Sequence, residues 1–217
     1  IYEIHNLDKN KIFVAYNFRF HPALNRIKDL ISNEKVLAVN AYVGQYLPDW
    51  RPNSDYRKSY SARSSLGGGV LRDLSHELDF LTWIFGSFKK VAAIGGRLSD
   101  LNIDSDDFFS VIATGHDGVN FNINLNYLDR NAKRMVTVFT NNITIEANLK
   151  TGDIWVNGSQ EFVSTDKVEI LTEMYKSFLG LQNNSNLCTF DDGLQTVKLI
   201  DSIELAAQLF EWVVCGD

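Results

Sequence analysis

Several functional classes are excluded by what this sequence has little of. Only two of its 217 residues are cysteines, Cys188 and Cys215. One such pair makes neither a disulfide framework nor the clustered spacing of a zinc site, so no metal is expected and a reducing cytoplasm is the expected compartment. No apolar run approaches the roughly 18 residues of a membrane span, and no charged-then-apolar leader opens the chain. Neither a membrane partner nor a signal peptide is therefore expected. Basic residues are outnumbered, 21 Lys+Arg against 27 Asp+Glu for a net charge of −6. With no clustered basic stripe, that balance argues against a nucleic-acid partner. GxGxxG, the turn that lets backbone amides approach a dinucleotide pyrophosphate, occurs nowhere. Gly67, Gly68 and Gly69 follow no strand pattern and do not replace it. The sequons at Asn142, Asn157 and Asn183 are discounted as chance matches in an Asn-rich chain. Proline is scarce, and two of the three fall in one connection, residues 47–66.

What is present is enough hydrophobic material, 45% of residues, for one sizeable core. The stretch GGGVLRDLSHELDFLTWIFG, residues 67–86, is the richest in chemistry. Its glycines flank a run without Gly or Pro, which predicts one helix with a glycine stop. At about 100° per residue Leu74, Leu78, Leu81 and Phe85 form a core stripe. Asp73, His76, Asp79, Phe80 and Trp83 fall on the other side. An imidazole within one turn of carboxylates has the composition for general acid–base work, because its pKa lies near neutrality and a carboxylate can fix its tautomer. A helix-capping Asp73 with a structural histidine is the competing reading.

The same stretch resembles the signature of the second domain of the Gfo/Idh/MocA family of NAD(P)-dependent oxidoreductases, which act mostly on sugars, cyclitols and related polyols. YNFRFHPALNRIKDLI, residues 16–31, and FDDGLQTVKLIDSIELA, residues 190–206, are similar to further family blocks. The resemblance implies that residues 1–20 are the exit of a nucleotide-binding domain and residues 21–217 a substrate and dimerisation domain. It places the proton-exchanging histidine on His76 and its companion acid on Asp73, three residues earlier where many members have four. Arg19 resembles a basic residue at the family's domain junction, a cofactor-side contact. An NAD or NADP cofactor is implied, held by an N-terminal domain that this chain lacks, together with the family's EKP-type lysine. The chain alone is accordingly expected to be inactive. A non-catalytic sensor or a dimerisation module on the same fold is the alternative.

Elsewhere, KIFVAYNF, residues 11–18, reads as a buried strand, and Pro22 opens a helix with Leu24, Ile27, Leu30 and Ile31 as its stripe. His21 before it reads as structural. A strand at residues 36–47 leads into the connection of residues 47–66, where Trp50, Tyr56 and Arg57 are candidate contacts for a sugar-like ligand, with Asp79 from the helix. Seven strand-period runs follow, split by turn signals, which predicts a mainly antiparallel sheet. Val119, Phe121, Ile123, Leu125 and Tyr127 alternate with Asn120, Asn122, Asn124 and Asn126. One face packs on helices, and the asparagine row suits a polyol ligand, a homo-oligomer contact or plain solvent. Two helices close the chain, the first with Val168, Leu171, Tyr175, Phe178 and Leu179 as its stripe, the second with Leu194, Val197, Ile200, Ile203 and Leu205. The expectation is an α+β fold, a large open, mainly antiparallel sheet with helices on one face.

Overall fold

The computed structural model describes residues 8–182 and 186–216, so the sequon at Asn183 and residues 1–7 lie outside the described residues. In chain order the elements are β1 (Phe13–Val14), α1 (Pro22–Leu30), β2 (Val36–Gly44), α2 (Val70–Asp73), α3 (Ser75–Phe85), β3 (Phe88–Gly96), β4 (Phe108–Gly115), β5 (Asn120–Asn126), β6 (Lys133–Thr140), β7 (Thr144–Asn148), β8 (Asp153–Val156), β9 (Ser159–Phe162), α4 (Lys167–Phe178), β10 (Cys188–Thr189), α5 (Phe190–Leu209) and β11 (Val213–Val214). Short 3-10 turns fill the connections at Asn17–Phe20 and across residues 47–66.

All seven strand-period runs after Gly86 become β3 to β9, members of a nine-stranded sheet ordered β11-β3-β4-β5-β2-β6-β7-β8-β9. β2 intercalates between β5 and β6, parallel to the first and antiparallel to the second. Every other pairing in that sheet is antiparallel. Alternation decides the faces: Val119, Phe121, Ile123, Leu125 and Tyr127 are buried, while Asn120 and Asn122 stay exposed. Asn126 departs from its row. It is buried, and its carboxamide oxygen accepts from Leu128 N and Asp129 N at 3.0 Å, pinning the turn that leaves β5.

Four sequence expectations are corrected. Residues 11–18 form a two-residue strand rather than a long one, because the backbone turns back at Tyr16 and Asn17 onto Val14 and Ala15 carbonyls. β1 pairs with β10 of this same chain. The helix of residues 67–86 is two helices, interrupted at Leu74 with φ −104° and ψ 23°. Its leucine stripe is buried as expected, yet Asp79 and Phe80 on the supposed second face are also 0% exposed. In α4 the expected stripe is the outside: Val168, Leu171, Tyr175, Phe178 and Leu179 are exposed, and Ile170 and Met174 pack instead with Phe20. In α5, Ile200 and Ile203 are buried but Val197 and Leu205 are not, because the helix rolls to bury the small residues Gly193, Thr196 and Ala206. Thr189 caps it reciprocally with Asp192. No helix among the described residues is long and apolar enough to cross a membrane.

Candidate active site

A cavity of about 380 Å³ opens where the ends of β2 and β6, the 3-10 turn Asn17–Phe20, α2 and the start of α4 converge. Phe18, Trp50, Asp73, Leu74 and Arg134 belong to its wall. The glycines before α2 allow the helix to start there. Gly69 has φ +129°, and a Cβ on it would collide with the Asp106 carboxylate, which accepts from Leu71 N at 3.1 Å. This contact fixes the turn that carries Asp73.

Asp73 does not orient His76. Its carboxylate accepts the Tyr127 phenol at 2.7 Å, and burial together with Asp73 pushes the Tyr127 pKa up, so the phenol remains a donor. The Tyr127 ring meets Trp50 edge-on at 5.2 Å, and the Trp50 indole donates to the Gln45 carbonyl at 3.1 Å. Trp50, Tyr127 and Asp73 thus form one connected wall.

His76 stands in the first turn of α3, between Tyr16, edge-on at 5.2 Å, and Phe18, tilted at 5.2 Å. The residue is half-buried, and it is Phe18, not His76, that faces the cavity. Nδ1 is buried without a hydrogen-bond partner among the described residues. Burial first, then the Arg134 cation, lower its pKa to about 4. Its place near the positive end of the helix acts in the same direction. At neutral pH the imidazole is therefore uncharged, and the same surroundings that keep it neutral lower its basicity.

Arg134 and Glu77 were not singled out from the sequence. Arg134 Nε lies 2.7 Å from a Glu77 carboxylate oxygen that is itself buried, and the guanidinium sits 4.3 Å over the Phe18 ring. The signal was available in Glu77. A carboxylate adjacent to Leu78, inside the apolar sector of the helix, demands a buried cation from elsewhere.

Of the remaining candidates, Arg19, Asp79, Tyr56 and Arg57 lie outside the cavity lining, and His21 is part of it. Arg19 is 4% exposed, and its guanidinium is engaged by Asp79 at 2.8 Å and Asp192 at 3.1 Å. Asp79, 0% exposed in that pair, accepts from Arg19 and is not part of the cavity wall. Arg57 is exposed and chelated by Asp55 at 2.7 Å, while the Tyr56 hydroxyl accepts from Asn102 N at 3.3 Å. Neither lines the cavity, because the loop folds back on itself in successive 3-10 turns. His21 is structural: Nδ1 accepts from Ala23 N, which caps α1, and Nε2 donates to the Leu149 carbonyl at 3.0 Å.

Residues 24–150 match the family described as the GFO/IDH/MocA C-terminal domain. The chain belongs to this family. A levoglucosan dehydrogenase of Pseudarthrobacter phenanthrenivorans is 31% identical over 90 residues, covering 40% of this chain and 23% of the relative. Among solved structures, levoglucosan dehydrogenase in complex with NADH and levoglucosan superposes with a TM-score of 0.76 at 18% identity, over 94% of this chain and 66% of that one. An NAD-binding oxidoreductase from Klebsiella pneumoniae gives 0.78 at 15% identity, over 94% and 66%. At such identities the likeness is one of fold. The chain spans under two thirds of both solved proteins and a smaller share of the curated relative.

Proposed function

We propose that the chain is the substrate-binding, catalytic domain of an oxidoreductase that transfers hydride between NAD(P) and a hydroxyl of a sugar, sugar acid or polyol. Family membership supports the reaction class, and the levoglucosan and NADH bound to a structural neighbour support the substrate and cofactor classes. The observation that carries it is His76, whose buried Nδ1 has no hydrogen-bond partner among the described residues and whose ring stands directly behind Phe18 of the cavity wall.

The chain has no GxGxxG turn, and Arg19, the residue offered as a cofactor-side contact, is held in ion pairs with Asp79 and Asp192. The dinucleotide belongs to the protein's own N-terminal nucleotide-binding domain, and this chain alone is inactive. What this chain supplies is the substrate side. Trp50 offers an aromatic face to a sugar ring, and Asp73, held by the Tyr127 phenol, offers an acceptor to a substrate hydroxyl. His76 accepts the proton of the reacting hydroxyl in oxidation and returns it in reduction. Steady-state kinetics of the full-length protein test this. His76→Asn, close to the same shape, is expected to lower kcat by about 10²-fold or more, and an unchanged kcat removes His76 from the reaction.

The outer face of the sheet is the proposed homo-oligomer contact. It aligns Ile112, Asn122, Asn40 and Thr137 across four neighbouring strands, and Ile94 beside them is 61% exposed. Light scattering that finds wild-type protein monomeric at micromolar concentration removes that contact. Both cysteines are free thiols, Cys188 buried, in keeping with a reducing, cytoplasmic setting.

A further inference from the structure

We infer that the ligand of the cavity is an acidic sugar or sugar derivative, one bearing a carboxylate or a phosphate. This rests on the oxidoreductase reading and narrows its substrate class. The observation is a local reversal of charge. On a chain of net charge −6, Lys133, Arg134, Lys150 and Lys167 all line the cavity, and Asp73 is the one carboxylate among the lining residues. They arrive from separate places: Lys133 and Arg134 from the start of β6, Lys150 from the turn after β7, Lys167 from the first residue of α4. No single helix or strand pattern put them together. Only the closure of the fold does.

Partners decide which of these charges are available. Arg134 is paired with Glu77 and laid on Phe18, so it serves as wall rather than receptor. Lys133 has a loose ion pair, 3.9 Å from Asp129, whose carboxylate already accepts the Tyr42 phenol at 2.8 Å. Lys150 donates to an uncharged group, the Ala132 carbonyl, at 2.8 Å. Lys150 and Lys167 have no ion pair among the described residues. Asp166, next to Lys167, is turned to the cap of α4, where it accepts from Val168 N at 2.7 Å. Lys133 and Lys150 share the single carboxylate of Asp129, which both cations stabilise, so positive charge is in excess on this concave, partly apolar wall and focuses a positive potential into the cavity. An ammonium on a long stem is a mobile point charge, suited to a carboxylate or phosphate on a flexible sugar arm. Thr165 and Gln45, also in the lining, supply neutral donors and acceptors for hydroxyls.

Three probes that differ at one carbon test this: D-glucose, D-glucuronate and D-glucose 6-phosphate, assayed with the full-length protein and NAD(P)⁺. At least one acid is expected to exceed glucose in kcat/KM by about tenfold or more, the size of effect that a charge-assisted hydrogen bond brings. Whichever acid prevails identifies the anion as carboxylate or phosphate. In the exposed-residue double variant Lys150→Gln/Lys167→Gln, the acid-to-glucose ratio is expected to fall about tenfold through the KM of the acid. Equal or better turnover of glucose overturns the inference and leaves the oxidoreductase reading standing. A double variant that raises the KM of the dinucleotide instead also overturns it, because the lysines would then serve the cofactor's phosphates. Thermal melts with the same probes separate the two readings: stabilisation by an acid without any turnover keeps the charge assignment and sinks the oxidoreductase. Stabilisation by neither acid overturns the inference.

Discussion

Replacing Asp79 with leucine probes the buried ion pair that ties α3 to the segment before α1. Arg19 is 4% exposed and donates to Asp79 through Nε at 3.1 Å and Nη2 at 2.8 Å. Asp79→Leu removes the carboxylate and leaves the guanidinium enclosed. Breaking such a pair costs about 3–5 kcal/mol, most of it the desolvation of the stranded charge. Here Arg19 would keep Asp192 at 3.1 Å, a carboxylate with 39% exposure, and the Leu187 carbonyl at 3.4 Å. That residual compensation puts the expected loss at the lower end, about 3 kcal/mol, or roughly 6–12 °C in Tm for a domain of this size. The double variant Arg19→Met/Asp79→Leu removes both charges and should recover most of the loss. Urea denaturation followed by far-UV circular dichroism reads both. A single variant within about 1 kcal/mol of wild type, or a double variant no better than the single, would refute an internal, mutually dependent pair.

Acidification should expose His21. Its folded pKa is lowered to about 4 by burial, so the stability it contributes is complete above its unfolded value near 6.5 and is lost as pH falls from there towards 4. For a residue 3% exposed the loss is on the order of 3 kcal/mol, and an NMR titration of the His21 ring with a midpoint near 6.5 would refute it. Tyr127→Phe, which strips the phenol from Asp73, should cost about 1.5 kcal/mol by denaturant titration; no loss would show that the 2.7 Å bond is not a net contributor. Gly69→Ala should destabilise by about 1–3 kcal/mol, since φ +129° strains any side chain there and its Cβ would strike Asp106; a neutral melt would contradict that geometry. Leu179→Gln, on the outside of α4, should change the stability of this chain by under about 0.5 kcal/mol, and a larger loss would show the residue to be packed.

Local pattern carried the strands and the leucine stripe. The runs from Phe88 to Phe162 are bounded by turn residues, and Phe108–Gly115 and Asn120–Asn126 alternate with period 2, so both determinants lie within a few residues of one another. The stripe Leu74, Leu78, Leu81 and Phe85 is legible for the same reason, as is the start of α1 at Pro22. His76 and Asp73 were legible as candidates because they lie three residues apart in the sequence, although the break at Leu74 puts them on separate helices.

The rest was decided by partners distant in sequence. β2 lies between β5 and β6 because its two-sided pairing satisfies backbone groups that no local signal assigns. The buried side of α4 was misread because the helix carries two apolar sets, and only Phe20, brought up by the 3-10 turn at Asn17–Phe20, selects Ile170 and Met174 over Val168 and Leu171. Asp79 and Arg19 looked like site residues because a charge in a sequence carries no record of its partner 60 positions away. Arg134 and Glu77 likewise meet across 57 positions. The sequence by itself determined the seven strands after Gly86 and the leucine stripe and supplied the imidazole, since these depend on neighbours along the chain. Only the tertiary structure decided which charges are cancelled inside and which remain to face a ligand, because electrostatic pairing is set by distance in space.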